Sequence, residues 1–188
     1  MTTVLMLDHV SKRFGGLRAV NDVSFSVAEG EVLFIVGPNG AGKSTLFNLI
    51  TGFLQPDQGT ITLAGRSLAG TPPYQAARLG IGRTFQIVKP LRNLTVLENV
   101  MLGAFLHTRR VAEAAAQARK VLAFLQMEAA SEQPVSGLPA ANLKRLEIAR
   151  ALATRPKVML LDEVVAGLPT GEALTLASLL QQLPEWGV

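Results

Sequence analysis

Val32-Leu33-Phe34-Ile35-Val36-Gly37-Pro38-Asn39-Gly40-Ala41-Gly42-Lys43-Ser44-Thr45 is the stretch on which the reading of this chain turns. Its apolar opening, residues 32–36, reads as a buried strand, and a glycine-rich turn follows. Beyond the turn, Leu46, Phe47, Leu49, Ile50 and Phe53 recur at helical spacing until Pro56, Asp57 and Gly59 end the element. Strand, Gly-x-x-x-x-Gly-Lys-Ser and helix in that order form a phosphate-binding loop of the Walker A pattern. Gly37, Gly40 and Gly42 let the backbone curl, with Pro38, Asn39 and Ala41 between them, so that successive N–H groups and the positive end of the helix face phosphate oxygens. Lys43 is expected to reach the β- and γ-phosphates of ATP, Ser44 to place its hydroxyl on Mg²⁺, and Thr45 to complete the nucleotide-binding residues. A glycine-rich turn with a surface lysine is the bland alternative, and it leaves the flanking strand and helix unexplained.

Such a site needs a carboxylate at the end of a second buried strand. Val158-Met159-Leu160-Leu161-Asp162-Glu163 supplies it: Asp162 is expected to hold the Mg²⁺ shell, and Glu163 to act as general base on the attacking water. Alone, two acids after an apolar run would sooner mark a helix start or a loop.

Composition narrows the class. The chain has 188 residues, 48% of them hydrophobic, which suffices for one α/β domain with a sizeable core. Its net charge of +4 comes from 18 basic against 14 acidic residues without long runs, so a solvated basic surface is expected rather than a nucleic-acid partner. Cysteine is absent, which excludes disulfides and thiolate metal sites and suits a reducing compartment. The first ten residues do not read as a secretory signal, and no apolar run reaches the roughly 18 residues needed to span a bilayer. Mean hydropathy is nevertheless +0.31, which fits burial against other subunits.

Elsewhere, β-like runs between Val4 and Val27 are broken by Gly15-Gly16, and Ile61 with Leu63 suggests a further strand. Thr95 and Glu98 have capping-box spacing before a helical run to about His107, and residues 110–127 continue with helical periodicity. A last helix is expected over residues 171–183.

These motifs together resemble the ATP-binding cassette family over nearly the whole chain. The resemblance implies an α/β fold: a P-loop NTPase core with a mainly parallel sheet, an N-terminal antiparallel β subdomain and a helical insertion subdomain. It divides the single domain into core residues 1–90 and 134–188 and helical residues 91–133. Phe14 sits where the family stacks an aromatic on adenine. Arg83-Thr84-Phe85-Gln86 looks like the Q-loop, whose glutamine contacts Mg²⁺ and the water and senses the permease. Residues 82–86 with 91–100 look most like the branched-chain amino acid import subgroup, a look that amide and urea importers share. Leu146 to Leu152 is similar to the helix after the family's signature, and Ala166-Gly167-Leu168 to its D-loop.

Two departures stand out. The signature, about Leu-Ser-Gly-Gly-Gln in the family, here aligns with Leu138-Pro139-Ala140-Ala141-Asn142, which lacks the serine hydroxyl and both glycines. The family also continues with a strand and a γ-phosphate histidine, and within these 188 residues neither is found, since His9 and His107 lie elsewhere. The resemblance thus implies an ATPase subunit energising a membrane transporter, with permease subunits and a second cassette as partners, peripheral on the cytoplasmic face of the membrane. The alternative is a non-hydrolytic or truncated ATP-binding subunit whose partner performs catalysis. A small-molecule phosphotransferase shares only the Walker loop, and a DNA-repair ATPase needs a heptad insertion that is absent here.

Overall fold

Gly15-Gly16 is not a break but the turn of a long hairpin. Strands β1 (Thr3–Phe14) and β2 (Leu17–Ala28) pair antiparallel from Thr3↔Ala28 to Phe14↔Leu17, and Gly15 takes the positive φ of 56° that such a turn requires. β1 also pairs with β3 (Gln58–Leu63), and β3 with the short β4 (Arg66–Ser67), giving the order β2-β1-β3-β4. The computed structural model describes residues 2–85 and 90–188. The expected antiparallel β unit is therefore present, with Val4, Leu5, Leu7, Val10, Ile61 and Leu63 buried on its inner side.

Helix α1 (Lys43–Ile50) packs there through Leu46, Leu49 and Ile50, at the i, i+3, i+4 spacing read from the sequence. A helix of this length is marginal in water, so its stability comes from that face, where each fully buried Leu or Ile contributes roughly 1.5–3 kcal/mol. It ends before Phe53 because Thr51 Oγ1 donates to the Phe47 carbonyl and Gly52 takes a φ of 77°. A Cβ at Gly52 would lie 2.2 Å from the Thr71 carbonyl oxygen, so only glycine fits.

The same core takes Ile81 from β5 (Ile81–Arg83) and Val158 and Leu160 from β6 (Val158–Leu160). These two strands pair in parallel, Ile81↔Val158 to Arg83↔Leu160. Helix α2 (Pro73–Leu79) leads into β5 and ends at Gly80, with a φ of 114°. Residues 32–36 correct the sequence reading: they are not in a strand, and Phe34 and Val36 are 82% and 92% exposed. An apolar run becomes a strand only where a neighbour takes its N–H and C=O groups. Among the described residues the parallel sheet is the β5–β6 pair alone, and it does not reach that run.

The helical middle is as expected. Helix α3 (Val96–Ala104) opens with the full capping box, in which the Thr95 hydroxyl accepts from the Glu98 N–H at 3.2 Å and Glu98 Oε2 from the Thr95 N–H at 2.8 Å. Helices α4 (Val111–Phe124), α5 (Ala140–Leu152) and α6 (Thr170–Leu180) complete a second core with α3. Gly103 of α3 lets α5 approach closely, since a Cβ there would lie 2.4 Å from the Arg150 carbonyl oxygen.

On the β unit, His9 Nδ1 lies 2.7 Å from Asp22 Oδ1, and that contact raises the histidine above its ordinary value of 6.5. A raised folded value means the contact contributes to stability below pH 6.5, and the contribution disappears as pH rises through the folded value. In Asp22→Asn the His9 titration midpoint, followed by NMR, is expected to fall toward 6.5; a midpoint unmoved by the substitution contradicts this cause.

Candidate functional site

The loop that precedes α1 is shaped by two glycines more than by three. Gly40 and Gly42 adopt φ of 83° and 91°, whereas Gly37 is not in the left-handed region. Gly42 caps α1 with no side-chain hydrogen bond, and the first turn carries no acidic residue. The backbone N–H groups at the start of the helix are thus not taken by a capping side chain, which is the condition for receiving an anion. Lys43 Nζ meanwhile donates to the Gly37 and Pro38 carbonyl oxygens, at 2.5 and 2.9 Å. The ammonium group closes the loop on itself here, and it must leave these carbonyls to meet a phosphate.

Ser44 and Asp162 line one cavity of about 880 Å³, together with Arg83, Phe85, Glu147 and Arg150. Ser44 and Asp162, far apart in the chain, thus border the same cavity. Among the described residues no cluster of three or more His, Cys, Asp or Glu exists that could hold a metal. One hydroxyl and one carboxylate fit Mg²⁺, a hard cation that takes the rest of its shell from phosphate oxygens and water. Glu163, next in the chain, is exposed and adopts a φ of 49°, an uncommon conformation for a residue with a Cβ. Its carbonyl accepts from Lys144 Nζ at 3.0 Å and from the Ala166 N–H at 3.0 Å, which ties the loop holding Gly167 back to it. Phe14 lies at the tip of the β1–β2 hairpin, 46% exposed, with Lys12 Nζ 5.8 Å from its ring centre. Gln86, the Q-loop residue, lies outside the described residues.

Several residues that the motifs left without a role crowd this cavity. Arg83 is only 9% exposed, its Nη1 donates to Asn48 Oδ1 at 2.6 Å and Thr51 Oγ1 at 3.3 Å, and its Nη2 lies 3.9 Å from Asp162 Oδ2. Burial pushes the guanidinium below its ordinary value, while Asp162 opposes the shift. Glu147 on α5 accepts the Phe85 N–H, and burial pushes its carboxyl above the usual carboxylate range. A charged residue in a short apolar strand was the signal available for Arg83; for Glu147, on a helix far along the chain, there was none.

At the degenerate signature, Pro139 is the N-cap of α5 and Ala140 and Ala141 form its first turn, again with no side-chain cap. Methyl groups stand at the helix start in place of hydroxyl and bare backbone.

A family model described as ABC transporter matches residues 20–166. The chain is 40% identical over 195 residues to LivG of Salmonella typhimurium, a high-affinity branched-chain amino acid transport ATP-binding protein, covering 96% of this chain and 76% of that protein. The ADP conformation of MJ1267, an ATP-binding cassette of an ABC transporter, has a TM-score of 0.89 at 33% identity, over 100% of this chain and 79% of that one. A dimeric post-hydrolysis state of the cassette MJ0796, bound to ADP and Pi, has a TM-score of 0.84 at 28% identity, over 96% and 83%. Family model, relatives and fold agree: the chain belongs to the ABC transporter family, as an ATP-binding and ATP-hydrolysing subunit that energises a membrane transporter.

Proposed function

We propose that this ATPase powers the import of branched-chain amino acids or related solutes, from a position on the cytoplasmic face of the membrane. The solute class is supported by LivG of Salmonella typhimurium and BraF of Pseudomonas aeruginosa, 40% and 36% identical, whose names carry it. Among the described residues no helix is long and apolar enough to cross a membrane; on this reading permease subunits supply the membrane contact. Residues 91–133 are the helical subdomain and face the permease. Phe53, Tyr74, Phe85 and Leu102 on the large cavity are 53%, 63%, 48% and 41% exposed, an aromatic and aliphatic surface suited to a permease segment.

The observation that carries the catalytic reading is the cavity shared by Ser44 and Asp162 beside the uncapped start of α1. Main-chain N–H groups of residues 39–45 cradle the phosphates, Lys43 turns from the Gly37 and Pro38 carbonyls to the terminal phosphates, and Phe14 stacks on the adenine. Ser44, Asp162 and Gln86 hold Mg²⁺, which when bound neutralises charge on the phosphates. Glu163 takes the proton of the attacking water. At the start of α5, Pro139 has neither the hydroxyl nor the N–H of a complete signature and Ala140 and Ala141 carry β-carbons where glycine allows close approach, which supports a heterodimer with a related cassette that supplies one.

Phosphate release from MgATP, measured with and without a related cassette, tests this. Lys43→Ala is expected to lower release roughly a hundredfold, the usual cost of losing one preorganised contact to developing charge. Release equal in the wild type and Lys43→Ala would remove the catalytic reading.

A further inference from the structure

Where β6 ends at Leu160, the ladder with β5 is continued by a side chain. The Thr84 N–H donates to the Leu160 carbonyl at 3.0 Å, and the Thr84 hydroxyl, 0% exposed, donates to the same carbonyl at 3.4 Å. That hydroxyl accepts the Asp162 N–H at 3.1 Å, taking the place of a backbone carbonyl in the ladder. Next to it the Arg83 guanidinium, held by Asn48 and Thr51 of the α1 region and lying 5.7 and 5.0 Å from the ring centres of Phe47 and Phe85, sits 3.9 Å from the Asp162 carboxylate. That distance is too long for a hydrogen bond, so Arg83 acts on Asp162 through its charge and its fixed place.

We propose that Thr84 and Arg83 are positioning residues that clamp Asp162, Thr84 through its backbone and Arg83 through its carboxylate, and so set the affinity of the nucleotide site for Mg²⁺. The clamp rests on the reading of Asp162 as a Mg²⁺ residue. It also joins three pieces of chain. Arg83 anchors on the helix behind the phosphate loop, Asp162 follows the second strand, and Phe85, whose N–H donates to Glu147, begins the segment leading to Gln86. Partners that orient a ligating carboxylate commonly change metal affinity 10- to 100-fold.

Thr84→Val and Thr84→Ser separate this role from packing. Valine fills the buried space but removes the hydroxyl; serine keeps the hydroxyl but removes the methyl. The readout is ATP affinity by equilibrium titration, with saturating Mg²⁺ and with EDTA, together with the Mg²⁺ concentration at half-effect. In Thr84→Val the affinity in EDTA is expected to stay within about twofold, while the half-effect Mg²⁺ concentration rises about tenfold. Thr84→Ser is expected to keep the wild-type Mg²⁺ dependence even if its melting temperature falls. An unchanged Mg²⁺ midpoint in Thr84→Val, or an equal shift in Thr84→Ser, overturns the clamp. Asp162→Asn tests the underlying reading apart from it: if that variant keeps the full Mg²⁺ effect, Asp162 is not the Mg²⁺ residue. Should Thr84→Val fail to fold, Asn48→Ala removes the nearer of the two acceptors that hold Arg83; a rise in the Mg²⁺ midpoint supports the clamp and an unchanged one overturns it.

Discussion

Phosphate release from MgATP is expected to fall roughly a hundredfold to ten-thousandfold in Glu163→Gln, the range over which a general base contributes, while ATP affinity stays near that of the wild type. Glutamine has the same shape and the same backbone demands at φ 49°, so the fold tolerates it. What it lacks is the capacity to take a proton. On the proposed reading, in which hydrolysis opens an ATP-bound dimer with a related cassette, the variant should accumulate that dimer, visible by gel filtration in MgATP. The variant also divides the two readings that the degenerate signature raised. If Glu163→Gln releases phosphate at the wild-type rate, Glu163 is not the base and catalysis in the assembly belongs to the partner's residues.

Gly42→Ala should cost both stability and nucleotide binding. Its Cβ would stand 2.1 Å from the Ala19 carbonyl oxygen, a backbone atom of β2 that cannot swing aside, and its φ of 91° lies where L residues are strained. Strain of that kind is worth roughly 1–3 kcal/mol before the clash is added, so a fall in Tm of roughly 5–10 °C is expected. ATP affinity should drop more than tenfold, because relief of the clash moves the loop away from the hairpin that positions it; a drop of about tenfold corresponds to ~1.4 kcal/mol. Gly40→Ala is the comparison. It has a similar φ of 83° but nothing within 4 Å of its Cβ, so it carries the strain without the clash and should lose less. Equal losses in the two variants would show that contact with Ala19 does not matter.

The features legible in advance share a physical character. The phosphate loop, the capping box at Thr95 and Glu98, and the apolar face Leu46, Leu49 and Ile50 are all written within a few residues, because turn chemistry, capping and helical periodicity are local. Asp162 stands out in the sequence by the hydrophobic run before it, and in the fold it borders the same cavity as Ser44. Residues 32–36 were misread for the opposite reason: their composition suits a strand, but being in a strand is a relation to a neighbour, and composition carries no record of whether the neighbour is there.

The residues around Asp162 were hidden for that same reason. Thr84 and Asp162 are 78 positions apart, and nothing in either neighbourhood marks a buried hydroxyl that extends a parallel ladder. Arg83 and Asn48, 35 positions apart, meet only because β5 passes behind α1. Residue types and short spacings were enough to name the chemistry, since a Lys, a Ser, an Asp and a run of glycines have few other uses in that order. Which buried polar groups hold those residues in place depended on packing between distant segments, because a donor must find its acceptor within about 3 Å and only the folded chain brings them that close.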